Sequence, residues 1–438
     1  FYVSGYSNGK LWGNGVLSAS RVEDYQPGPV GSNKNDSKNK IYVVSQQDKQ
    51  FGDEWQEWID AVSIGADFYD GDGDGVYNPV DLNGNGKWDN NEDRPDILGD
   101  VTAWCVYNDG LPSALRRYPV NPQGLEIHQS VFGFKAKSIV GNIMFVRYRV
   151  KNTGTQVDTL KDMYFSAAAD PDLGDYGDDL VGSDIDISAG FVYNASADGV
   201  YGEDCPAFLM DFFQGPHVYL PGITFTDVDG DGVYTDGVDT ALDTAYAVRG
   251  PQIGIDMYPG AKNLPMTSMT QYMQSHVTHG DPDTHIEVRN YMLGGKGKLG
   301  DSLYVSKWEY GNGADLGADT LNIPAHFMYS GEPEPQTGWL NITGIDQRQM
   351  SNTGPFDLPA GEHRDIYVAY VVGRGATSLN SVTVAKEIDK TAQIIFDNNF
   401  PAPPPPDPIE YTINSGKGFI DITIETSNLV PYDVVDTV

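Results

Sequence analysis

The sequence predicts a mainly β chain: a β-sandwich-rich body with a few short helices and acidic loop insertions of the calcium-binding type. Three observations predict it. Twenty-six Tyr, 50 Gly and 27 Pro in 438 residues favour strands joined by many turns. Residues 125–170 carry three consecutive strand-like runs, EIHQSVFGFKA, NIMFVRYRVKN and TLKDMYFSAAAD. Asp/Asn/Gly-rich stretches at 67–100 and 226–243 then interrupt segments that otherwise read as β.

Taken in order, residues 1–22 alternate loosely around Gly-Tyr-Ser-Asn-Gly and Trp-Gly-Asn-Gly turns and predict β-hairpins. Residues 53–64 space Trp55, Trp58, Ile59 and Val62 along one helical face, with Asp53 as N-cap. Asn152-Thr153-Gly154 marks a turn after the second sandwich strand, and a further strand is expected at 189–194. Residues 266–279 (MTSMTQYMQSHVTH) suit a short helix ended by Gly280. Strands are expected at 302–310, 324–330 and 364–373. Residues 381–396 place Val382, Ala385, Ile388, Ala392 and Ile395 on one face, the strongest helical pattern in the chain. The body thus runs over 1–400, as one unit or as two sandwich subdomains. PAPPPPDP at 401–408 is a stiff spacer. Residues 409–438 are too few for a core of their own. They read as the first strands of a further domain or as a strand exchanged onto an open sheet edge.

A formal charge of −34 disfavours nucleic acid and anionic membrane as partners and attracts divalent cations. No apolar run approaches the length of a membrane span. The chain opens at Phe1 without Met, so any export signal is expected to be removed or to lie outside this numbering. Cys105 and Cys205 permit one disulfide in an exported chain or two buried thiols.

The chemistry concentrates in the acidic loops. Calcium takes six to eight oxygens, and a twelve-residue loop supplies them from positions 1, 3, 5, 7, 9 and 12 around a Gly at 6. Counting from Asp70 gives Asp70, Asp72, Asp74, Gly75, the carbonyl of Val76, and Asp81 at position 12. Counting again from Asp81 gives Asp81, Asn83, Asn85, Gly86, the carbonyl of Lys87, and Glu92 at 12. In this register Asp81 closes one loop and opens the next. A third loop starts at Asp227 with Asp229, Asp231, Gly232 and the carbonyl of Val233. Val238 falls at its position 12, so Asp236 or Asp239 must close it. Two to three Ca2+ ions are expected, with a fourth near the irregular run Asp170, Asp172, Asp175, Asp178, Asp179 and Asp184. No long helices flank these loops and Pro79 sits inside the first, so they are expected to staple loops and not to switch a helix pair.

Other constellations are thinner. His276, His279 and His285 have zinc-like spacing but no HExxH pattern. Glu54 and Glu57 beside Trp55 and Trp58 resemble a glycosidase carboxylate pair, yet the same spacing serves a buried helix face. Trp12, Trp88, Trp308 and Trp339 are candidates for stacking on sugars, or core residues. No nucleophile elbow, phosphate loop or dinucleotide fingerprint occurs. A non-enzymatic protein is expected.

The blocks SRVEDYQPG, ADFYDGDGDGVYNPVDLNGNGKWDNNEDRPD, DPDLGDYGDDLVGSD, FVYNA…DFFQGP and GPFDLPAGEHRDIYVAYVVGRG resemble large exported bacterial surface proteins of the type IX secretion kind, over most of residues 17–400. The resemblance implies an extracellular or cell-surface location and no established enzymatic activity. It also implies that PPDPIEYTINSGKGFIDITIE begins a fibronectin type III-like domain. Bacteria of this kind O-glycosylate Asp-Ser/Thr-apolar tripeptides. Matches here begin at Asp158, Asp239, Asp243, Asp301, Asp319 and Asp436. The function expected is structural or adhesive at a cell surface, with self-assembly through sheet edges. Glycan binding is the alternative, and a calcium-stabilised secreted hydrolase the remoter one.

Overall fold

The computed structural model describes residues 1–15, 24–135, 139–316, 323–400, 411–416 and 419–424. It is mainly β, with 37% of residues in strands and 14% in helices. Two antiparallel sheets face each other. The smaller has five strands in the spatial order Lys10–Gly15, Tyr2–Ser7, Thr159–Ala169, Gln347–Pro359, Ser268–Met273. The larger has nine. Its centre is Ile143–Asn152, flanked by Leu125–Gly133 and His363–Gly373.

Alternation explains the layers. Along Ile143–Asn152, Val146, Tyr148 and Val150 point into the space between the sheets, where they join Val3, Phe165 and Phe356 of the smaller sheet. The opposite face carries Phe145 into a second core under helix α3 (Ser378–Asp397), with Val382, Ala385, Ala392 and Phe396. That face also carries Arg147 and Arg149, which meet the acidic insertions. Helix α1 (Asp53–Ser63) lays Trp58 and Ala61 on Tyr42, Val44 and Trp104. Helix α2 (His285–Leu293) covers the outer face of the smaller sheet through Val288, Tyr291 and Met292. Among the described residues, no helix is long and apolar enough to cross a membrane.

Several expectations need correction. The segment expected as a helix over 266–279 holds the strand Ser268–Met273. Met266, Met269 and Met273 have helical spacing, but the strand is buried on both faces. Met269 and Met273 enter the inter-sheet core while Tyr272 faces α2, so burial on two sides mimicked a helix period. The helix lies further on, where Thr284 caps α2 by accepting the Glu287 N–H at 3.2 Å. Residues 302–310 hold a 3₁₀ turn, Val305–Lys307, and 324–330 form only isolated bridges. Gly52, not Asp53, caps α1, and Ile59 is exposed. Helix α3 matches its predicted face and extends it to the Thr377 cap. The two cysteines are free thiols.

Irregular segments cover sheet edges. Met269 bonds to His326 and Met328, and Ser183 and Asp179 bond to Tyr329 and Ile345, closing strands that otherwise present open N–H and C=O groups. The strands Tyr411–Gly416 and Phe419–Ile424 pair with each other. The proline spacer 401–408 lies outside the described residues.

Candidate metal centres

Each acidic insertion is a hairpin tip closed by a two-residue β-clip. Phe68–Tyr69 pairs with Arg94–Pro95 below the first region, and Phe225–Thr226 pairs with Thr240–Ala241 below the third loop. Within these clips three loops repeat one hydrogen-bond frame. At position 1, Asp70 accepts the N–H groups of Gly73 and Gly75 at 2.8 and 2.9 Å. Asp81 does the same to Gly84 and Gly86, both at 2.7 Å, and Asp227 to Gly230 and Gly232 at 2.7 and 2.9 Å. At position 3, Asp72, Asn83 and Asp229 accept the N–H two residues on. At position 5, Asp74, Asn85 and Asp231 repeat this onto Val76, Lys87 and Val233. Short Asx side chains form such turns locally. The glycines at positions 4 and 6 take φ of +73° to +79° in all three loops, with open space around each, so conformation and not crowding requires them.

The closing carboxylates show where the counted register succeeds and fails. Glu92 accepts Leu82 N–H at 2.7 Å and Asp89 N–H at 2.9 Å, tying positions 2 and 9 of the second loop. Asp239 ties positions 2 and 9 of the third loop through Val228 and Thr235, at 2.8 and 2.7 Å. Asp236 only receives the Tyr234 hydroxyl at 3.5 Å. In the first loop this task falls to Asp93, which accepts Gly71 N–H at 2.9 Å and Asn78 N–H at 2.7 Å. Asp81 therefore opens the second loop without closing the first. The second loop is nested inside the first, and the adjacent residues Glu92 and Asp93, each 2% exposed, close one loop apiece.

One oxygen from each of Asp70, Asp72 and Asp74 lies within 4.8 Å of the others, and Asp227, Asp229 and Asp239 converge equally closely. At Asp72 the Asp74 N–H bond favours ionisation, but desolvation and the charges of Asp74, Asp93 and Asp70 outweigh it and raise the pKa. Crowded carboxylates of this kind fit a hard divalent cation. In the second loop the side-chain amides of Asn83 and Asn85 both donate to Asp89, at 2.7 and 2.9 Å.

The run 170–184 is not one cluster. Asp170 and Asp172 converge with Asp346, but Arg348 already pairs Asp170 at 3.0 Å and Asp346 at 3.2 Å. Asp175 accepts its own Gly177 N–H, Asp178 bonds Asn194, Asp179 is buried, and Asp184 pairs Lys386 at 2.9 Å.

The insertions stand on a buried ion network that the loop motifs gave no hint of. Asp67, just before the first clip, bonds Arg147, Arg149 and Arg249 at 2.9, 3.0 and 2.9 Å. Asp96, just after that clip, meets Arg147 at 3.3 Å, and Asp365 meets Arg149 at 2.8 Å. Arg249 comes directly after the strand Thr244–Val248, on the chain returning from the third loop. One aspartate thus joins both insertions to the central sheet. Burial opposes its charge, but Arg149, Arg147 and Arg249 prevail and hold its pKa well below the carboxylate range. Burial pushes Asp96 up to about 6. Two arginines on one face of the central strand, Arg147 and Arg149 of the RYR at 147–149, were the available sequence signal.

The thinner constellations disperse. Glu54 and Glu57 are exposed on α1, and Glu57 pairs Lys40. Trp12, Trp308 and Trp339 are buried core residues, and Trp88 packs its ring against Tyr69 and Arg94. His276 meets Tyr310 and His279 meets Trp308 edge-on, and no histidine enters a metal-like cluster among the described residues. The acid pair Asp211 and Asp389 is buried where α3 packs on the sheet, and both residues line a smaller cleft of about 340 Å³. Of the Asp-Ser/Thr-apolar tripeptides, Thr240, Thr244 and Ser302 are exposed and Thr159 is half-buried, while those at Asp319 and Asp436 lie outside the described residues. No protein-family model matches the chain, and no curated protein matches it.

Proposed function

We propose that this is a calcium-stabilised extracellular or cell-surface protein with a structural or adhesive role, in which Ca2+ staples the three acidic loops. The observation that carries the reading is the repeated frame: three loops that close on different carboxylates repeat the same side-chain-to-backbone bonds, and in the first and third the carboxylate oxygens converge within 4.8 Å. Asp70, Asp72, Asp74, Asp93 and the Val76 carbonyl would hold the first ion. Asp81, Asn83, Asn85, Glu92 and the Lys87 carbonyl would hold the second, and Asp227, Asp229, Asp231, Asp239 and the Val233 carbonyl the third. The β-clips favour a staple over a switch, since no helix pair flanks a loop among the described residues. The type IX resemblance supports the exported setting, where Ca2+ near millimolar suffices for sites with Kd of about 0.1–1 mM. Three ions also offset six of the 34 net negative charges. Surface assembly would use the strand Tyr42–Ser45, where Val43 and the adjacent Ile41 are exposed at 52% and 67%.

The test is calorimetric titration of chelated protein with CaCl2, then melting with and without EGTA. Three sites and a melting temperature that falls on chelation are expected. Identical melting in both buffers removes the staple.

A further inference from the structure

Between the third loop and the turn joining Gln347–Pro359 to His363–Gly373 lies a cleft of about 810 Å³. Ligand sites commonly measure about 300–1,000 Å³. Its two walls differ in chemistry. The wall on the loop side is aromatic. Tyr219 and Tyr234 stack at 5.7 Å and 15°, and His217 and Tyr258 stack at 4.1 Å and 14°. Tyr234 is held in place by its neighbours: Phe225 meets its ring edge-on at 5.5 Å, and a Cβ on Gly260 would come within 2.4 Å of it. The facing wall presents Asp357, which is exposed, and Glu362, whose side chain is 50% exposed.

We propose that this cleft binds a neutral saccharide, its tyrosines stacking on sugar C–H faces and Asp357 and Glu362 accepting sugar hydroxyls. An aromatic wall opposite half-exposed carboxylates suits a ligand that is apolar on its ring faces and polar around its rim. The charges exclude an anionic polysaccharide. Among the described residues the cleft has one guanidinium, Arg364, and it is already engaged by Glu362 at 2.9 Å and by the carbonyls of His363 and Asp357 at 2.9 and 3.2 Å. His217 adds no charge at neutral pH, because burial, aided by Arg364, lowers its pKa to about 3. Tyr234 is adjacent to Val233, whose carbonyl is a proposed ion ligand. Saccharide binding is therefore expected to need Ca2+, a corollary that rests on the staple reading.

The test is affinity electrophoresis of the whole chain through gels containing galactomannan, xylan, mixed-linkage β-glucan or alginate, each with CaCl2 and with EGTA. Retardation by at least one neutral polysaccharide is expected. Tyr258→Ala and Tyr219→Ala, with melting unchanged from wild type, should each weaken it about tenfold, as lost stacking of about 1.4 kcal/mol implies. No retardation in any gel, retention of full binding by both variants, or retardation by alginate alone overturns the cleft. Retardation that survives EGTA supports the cleft and counts against the calcium reading. Calorimetric Ca2+ binding without any retardation overturns the cleft alone.

Discussion

The region 70–93 and the loop 227–239 are built from the same turn, yet they close differently. In the third loop one carboxylate, Asp239, ties positions 2 and 9. In the first region a complete second loop is inserted before closure, and the tie is made by Asp93, 23 residues after its frame opens at Asp70. Nesting costs the chain little, because closure entropy grows slowly with loop length and Glu92 fixes the inserted segment locally. The opening half of such a loop is a local object and its closing residue is not. Positions 1, 3 and 5 of the frame are set by neighbours in sequence. The last is whichever carboxylate the surrounding fold returns to the same backbone N–H groups.

The largest effect should come from what the two regions share. Asp67→Asn leaves Arg147, Arg149 and Arg249 short of one buried counter-charge, and broken buried pairs lose about 3–5 kcal/mol. Chemical denaturation should show that loss, and limited proteolysis should show both insertions cut faster. Protection of either one would mean the regions do not share a base.

Calcium removal comes next. At tenfold saturation each proposed ion would contribute roughly 1.4 kcal/mol, and three would contribute about 4 kcal/mol. Chelation should lower the denaturation midpoint by a corresponding amount in both regions. Single closures separate them. Asp93→Ala and Asp239→Ala should each reduce calorimetric stoichiometry by one ion, at a loss of about 1.4 kcal/mol. Asp81→Ala should also remove one. Loss of two ions from Asp81→Ala would restore the shared-carboxylate register and refute nesting.

Gly75→Ala and Gly232→Ala should be equivalent, each costing about 1 kcal/mol through positive φ alone. Unequal losses would mean the two frames differ in strain. A pH slope tests the same shared base. Asp96 has a folded pKa raised to about 6, above its unfolded value near 3.8. Its contribution is therefore fully present below pH 4 and is lost as pH rises through 6. Asp96→Asn should flatten that segment of the stability profile, read as denaturation midpoint between pH 4 and 7.

Much was legible where local chemistry decides. Helix α3 was readable because its apolar residues repeat at helical spacing while most of the residues between them are polar. Strands near 125–170 were readable from alternation. The strand Ser268–Met273 was not, because burial on both faces erases alternation, and its methionines happen to fall at helical intervals. The cleft was hidden for a different reason. Tyr219, Tyr234 and Tyr258 lie on three separate segments and meet Asp357 and Glu362 only after the third loop folds back beside the sheet turn.

The sequence by itself determined the mainly β class, the cation-attracting charge, and the opening frames at Asp70, Asp81 and Asp227, because each depends on composition or on residues within six positions of one another. Tertiary structure decided that Asp93 and Asp239 close their loops and that Asp67 anchors both insertions. It also decided which aromatic rings face a cleft instead of a core. Those outcomes depend on which distant backbone N–H group or guanidinium a carboxylate meets, and that is fixed only when the sheets bring remote segments within hydrogen-bonding distance.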